Sequence, residues 1–116
     1  MLDVNFNNYN WYLKPGATDM RKRGSSLAIL VEAEMKLNPF EKSIFVFCNN
    51  NRKIIKALVW DSNGFWELSK KLESGTFRWP NSSEQAMNVN WEAILWMLKG
   101  GDPWRSLPKL QPKKVC

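Results

Sequence analysis

Arg21, Lys22 and Arg23 stand side by side in the stretch TDMRKRGSSLAILVEAEM, just ahead of an apolar pattern. Three adjacent cations suit a phosphate ester or another polyanion. Thr18 reads as the N-cap of a helix, which puts all three in its first two turns. A helix start carries partial positive charge and free N–H groups, so an exposed cation there costs roughly 0.3–1 kcal/mol while an anion is favoured. The arrangement makes sense if the helix start is half of a phosphate-binding surface. A second group, Arg52, Lys53, Lys56, Lys70, Lys71 and Arg78, is interleaved with Trp60, Phe65, Trp66, Phe77 and Trp79. Cations for phosphates and rings for bases make a nucleic-acid surface, each stacked base contributing about 1–3 kcal/mol. The plainer reading of the same residues is core rings and solvated lysines.

Other chemistry is constrained. The chain has no histidine, which removes imidazole triads and imidazole metal sites, and it has no Gly-rich phosphate loop. Asp19, Asp61 and Glu73 could hold Mg²⁺ for phosphoryl transfer if they clustered, as a metal-dependent nuclease would need. Each also has an ordinary role, in a helix first turn, at a hairpin turn and before a Ser-Gly turn. No catalytic residue, metal ligand or cofactor is therefore assigned. Cys48 and Cys116 match no metal spacing and imply a reduced, cytoplasmic setting. The N-terminal stretch is Asn-rich without the apolar core of a secretory signal, and no apolar run reaches the about 18–20 residues that span a bilayer. A soluble chain with no membrane partner is expected.

The elements that must position these groups follow from periodicity. Tyr9–Gly16 reads as a short strand closed by Pro-Gly. Met20, Leu27, Leu30, Val31 and Met35 give the first helix one apolar face. Ser43–Cys48, Lys53–Trp60 and Phe65–Leu72 read as three strands of an antiparallel meander, with an Asn49–Asn51 turn and an Asn63-Gly64 hairpin turn between them. Phe77 to Trp79 reads as a short extended piece at an edge, ended by Pro80. Asn90 can cap a last helix in which Trp91, Leu95 and Leu98 line one side and Ile94 and Met97 lie close by, with Gly100-Gly101 as its stop. The expected fold is α+β: a small antiparallel β-meander of three to five strands packed with two α-helices. A single domain would fill residues 1–102, and 103–116 would form a basic, Pro-containing flexible tail.

Charge is segregated along the chain. Residues 21–60 carry a net +5 and the tail from Pro103 a net +4, around a half, 61–102, at net −2. Two basic blocks point to a polyanion partner or to simple solubility.

Taken in order, GATDMRK, NPFEKSIFVF, KALVWDSNGFWELSKKLESGTFRWP and LKGGD resemble one family. It is the small TnpB accessory protein of the IS-sixty-six class of bacterial insertion sequences. The shared positions are Gly16, Thr18 to Lys22, Pro39-Phe40, Phe45 to Phe47, Lys56, Trp60-Asp61, Gly64-Phe65, Lys70 to Glu73, Gly75, Phe77 and Trp79-Pro80. Two departures stand out: Arg23 precedes the glycine that usually follows Arg-Lys, and Cys48 to Asn51 replace a loop that is commonly Arg-rich. The resemblance implies a non-catalytic accessory role in transposition beside a separate transposase. Its implied partners are DNA, the element-encoded transposase and a companion accessory protein. The nucleic-acid candidates are Arg21, Lys22, Arg23, Arg52, Lys53, Lys56, Lys70, Lys71 and Arg78. The alternative is a protein-docking module that uses Phe65, Trp66, Phe77 and Trp79 to bind the transposase or a second copy as a homodimer.

Overall fold

In the computed structural model, which describes residues 2–3, 5–82 and 86–106, β2 (Ser43–Cys48) is buried along its whole length. Its sequence SIFVFC lacks polar/apolar alternation because both faces of a central strand are covered. On one side it pairs antiparallel with β3 (Ile54–Asp61), which pairs antiparallel with β4 (Gly64–Lys71). On its other side it pairs parallel with β1 (Asn10–Ala17), and β1 pairs antiparallel with β5 (Met87–Val89). The five-stranded sheet therefore runs β4-β3-β2-β1-β5. The expected meander is present. The parallel β1–β2 pair and the three-residue β5 were not legible, because nothing in an isolated strand specifies its partner's direction.

Two helices cover the two faces. α1 (Gly24–Leu30) continues through a π-helical turn, Val31–Met35, and packs Leu27, Val31 and Met35 on Phe45, Phe47 and Leu58. α2 (Trp91–Leu98) packs Ile94 and Met97 on the opposite face, with Trp11, Leu13, Ile44, Val46, Ile55 and Val59. Asn90 caps α2 as expected, its side chain accepting from the Ala93 N–H at 2.8 Å. Gly100 and Gly101 end it, their N–H groups donating to Met97 and Trp96 at 3.0 and 2.9 Å. The Leu95 side of the expected stripe stays exposed. α3 (Pro103–Ser106) follows, with Pro103 buried and the Trp104 indole donating to the Arg78 carbonyl at 2.8 Å. The described chain thus stays folded past residue 102. Residues 107–116 of the expected tail lie outside the described residues.

The helix expected to be capped by Thr18 starts five residues later. The Thr18 N–H donates to the Cys48 carbonyl at 2.8 Å, which extends the β1–β2 pairing, and its hydroxyl is buried without a partner among the described residues. Asp19 and Lys22 close a turn at 3.1 Å, and Arg23 occupies the N-cap with no side-chain cap bond. The cap comes from across the sheet: Glu67 of β4 accepts from the Gly24 N–H at 2.9 Å. A carboxylate there satisfies an N–H that the helix leaves open and complements its dipole. The hairpin turn also differs, since Asp61 pairs with Gly64 and the loop is Ser62-Asn63, with Ser62 at φ +56°.

Candidate nucleic-acid interface

The sheet has two dissimilar ends. β1, β2 and β4 finish where β3 begins, and three loops converge there. The loop after β2 is shaped by Asn49, whose side-chain oxygen accepts from the N–H groups of Lys53 and Ile54, both at 3.0 Å, while Arg52 adopts φ +61°. An Asn at this position builds the turn, which accounts for one of the asparagines that replace arginine. The loop after β4 is tied to it by Leu72 N–H to Lys53 O (2.8 Å) and Phe77 N–H to Arg52 O (2.7 Å). The same loop reaches β1 through Gly16 N–H to Pro80 O (3.0 Å) and the Trp79 indole on the carbonyls of Lys14 and Gly16. Gly16 has φ +78°, and a Cβ there would lie 2.7 Å from the Ser82 Cβ, so only glycine allows this approach.

Arg52, Lys53, Lys71 and Arg78 lie on or beside these loops, while Arg21, Lys22 and Arg23 lie on the α1 face, where the Lys22 carbonyl meets Lys56 and Gly24 meets Glu67 midway along β4. Their availability differs. Lys56, expected on a solvated face, is only 9% exposed. Its ammonium donates to the carbonyls of Met20 (3.0 Å) and Lys22 (3.1 Å) and lies 3.7 Å from Glu67, so it holds the loop before α1. Lys53 donates to Gly75 O at 3.0 Å and Lys70 to Leu98 O at 3.2 Å, where it meets the carbonyl end of α2. Arg21 forks onto Asp19, its closest contact 2.7 Å. That pairing, through the Arg21 hydrogen bonds first and charge second, holds the Asp19 carboxyl at about 2. Lys22, Arg23, Arg52, Lys71 and Arg78 are exposed, and their charged ends make no hydrogen bond or ion pair with the described residues. Arg52 and Arg78 both line an open groove of about 380 Å³, with Trp79, Asp102 and Trp104. Trp104 comes from the stretch after residue 102, which the sequence presents as a tail.

Apart from Trp79 and the half-buried Trp104, which line this groove, the rings lie elsewhere. Phe77 and Trp79 are 2% and 6% exposed and belong to the core, which removes them from the docking candidates. Phe65 stacks edge-on against Trp60, and both meet Phe40, at the hairpin end of the sheet. Trp66 remains 48% exposed, its indole donating to Asp61 at 2.8 Å. That bond is the first cause holding the Asp61 carboxyl below its usual value. Asp61 closes β3 at the hairpin, whereas Asp19 lies in the turn between β1 and α1, and among the described residues no three acidic, Cys or His side chains cluster. The three carboxylates weighed for Mg²⁺ are not brought together. Burial pushes the Cys48 thiol up to about 11, which keeps it a protonated core group.

The family model described as IS66 Orf2 like protein matches residues 9–107, from the start of β1 through α3. The chain belongs to this family. Two relatives come from Sinorhizobium fredii (strain NBRC 101917 / NGR234). The uncharacterized protein y4hO is 33% identical over 98 residues, covering 84% of each chain. The uncharacterized protein y4jC is 29% identical over 101 residues, covering 84% of this chain and 86% of its own. No solved structure matches. Among the described residues no helix is long and apolar enough to cross a membrane.

Proposed function

We propose that this IS66 Orf2-like protein is a non-catalytic accessory factor of insertion-sequence transposition that grips DNA by its phosphates. The contacts are Lys22, Arg23, Arg52, Lys71 and Arg78. The observation that carries the reading is their exposure: four separate stretches carry exposed, unengaged cations on the loops where β3 begins and on the adjoining α1 face, while Lys53, Lys56 and Lys70 are bound to carbonyls. Of the rings beside these cations, Trp79 is buried and Trp104 is tied to the Arg78 carbonyl, and the others lie in the core or at the far end, so the surface suits the backbone of a duplex rather than the bases of a single strand. Strand chemistry belongs to the element-encoded transposase, which with the companion accessory protein would share the DNA in the cytoplasm.

Fluorescence anisotropy with short labelled duplex and single-stranded DNA tests this. Duplex should bind at least as tightly as single strand, and log Kd should change linearly with log salt, about 0.9 for each phosphate contact. Absence of binding even at low salt would overturn the proposal.

A further inference from the structure

β4 is an eight-residue edge strand with no neighbour on its outer side among the described residues. Because Asp61 and Gly64 pair across a two-residue loop, they form the hydrogen-bonded closing pair. Phe65, Glu67, Ser69 and Lys71 therefore turn their N–H and C=O groups outward. Such a row is a template for another strand. On the face shared with α2, Trp66 and Leu68 are 48% and 47% exposed. Leu68 also borders an apolar groove of about 210 Å³ between β4 and the Trp91–Leu98 side of α2. An edge this long with two exposed apolar side chains on one face is a liability unless it is covered.

We propose that a second copy of this chain covers it, the two β4 strands pairing antiparallel about a two-fold axis at Leu68 to make one continuous ten-stranded sheet. The sequence of β4 is self-complementary in that register. Opposed residues in an antiparallel pair share a face, so continuity of both faces restricts the axis to a residue position. About Leu68, the two leucines meet, Glu67 faces the partner's Ser69, Trp66 faces the partner's Lys70 and Phe65 faces the partner's Lys71. Lys71, whose ammonium has no partner among the described residues, then lies beside a ring, a favourable contact for a cation, while Lys70 keeps its bond to the Leu98 carbonyl. With the axis at Glu67 instead, two carboxylates would face each other, and like charges directly opposite destabilise a strand pair. One strand pair buries less than the about 800 Å² per partner of a standard interface, so the dimer should be weak and dependent on concentration. The proposal does not rest on DNA binding.

Sedimentation equilibrium of the full chain without DNA tests it. The average mass should rise from one protomer towards two with concentration, and Leu68→Lys should hold it at one with unchanged circular dichroism. In a Cys116→Ser background, Leu68→Cys should form a disulfide-linked dimer on oxidation, because the two Leu68 positions form a non-hydrogen-bonded pair with Cα atoms about 4.5 Å apart. Trp66→Cys, which would face Lys70, should crosslink far less. A single protomer mass at every concentration would overturn the proposal and leave the edge to an extended segment of another protein. Equal crosslinking at positions 66 and 68 would overturn the register.

Discussion

β3 and β4 are the two arms of one hairpin, each eight residues long and each carrying lysine among apolar residues. In β3, Leu58 and Val59 are buried on opposite faces, and its Lys56 is sealed beneath the loop before α1. In β4 the same kinds of residue face solvent, and its Lys71 has no internal partner among the described residues. The difference comes from position in the sheet. A central strand is covered twice, so even its lysine must find carbonyls, because an unpartnered buried ammonium is costly. An edge strand escapes that demand, and its side chains remain available to ligands.

Substitutions in the two arms should separate sharply. The largest effect is expected for Leu58→Ala, which empties a fully buried site and should lower unfolding free energy by about 2–5 kcal/mol. Leu68→Ala, measured at low protein concentration by urea unfolding, should cost less than about 1 kcal/mol, as surface changes do. Equal losses would erase the distinction between the arms. Next comes Lys56→Met, which removes the donor shared by two carbonyls and strands Glu67; a loss of about 1–3 kcal/mol is expected from unsatisfied groups. Lys71→Met should stay within about 0.5 kcal/mol, with thermal melts as the readout.

The smallest effect belongs to the exposed Asp19–Arg21 pair. Its carboxyl titrates at about 2 in the folded chain against 3.8 for an ordinary aspartate. A depressed value means that the pair stabilises the fold fully above pH 3.8 and that this contribution disappears as pH falls towards 2. Asp19→Asn should therefore flatten the acid side of a stability–pH curve in that window alone. Solvent screening keeps the amplitude small. A change at pH 7 larger than that from Lys56→Met would contradict the ranking.

Much of the fold could be read from the sequence, and the exceptions share a cause. Apolar runs and Asn or Gly punctuation located β1 to β4, the Asn90 cap and the Gly100-Gly101 stop, because those signals are local. The start of α1 was misplaced because Thr18 is a good cap in isolation, yet its N–H is taken by Cys48 from a distant strand. The true cap is Glu67, forty-three residues away along the chain. β5 is three residues long and shows no periodicity. The nine candidate cations differ in availability, which the sequence does not show. No spacing rule reveals that Lys56 is enclosed, that Lys53 and Lys70 bind carbonyls, or that Trp79 and Phe77 belong to the core. Charge segregation marked residues 21–60 as basic, and it could not show that Lys71 and Arg78, from the net-negative half, lie exposed near the loop that carries Arg52.

The central claim is that exposed, unengaged cations hold DNA while internally bound ones do not. The direct test is the salt dependence of duplex binding for two variants. One combines Lys22→Gln, Arg23→Gln and Lys71→Gln; the other combines Lys53→Gln and Lys70→Gln. The account predicts that the first flattens the log–log slope by about 2.7, at about 0.9 per lost contact, and that the second leaves it unchanged. Equal flattening by both variants, or none by the first, would contradict it.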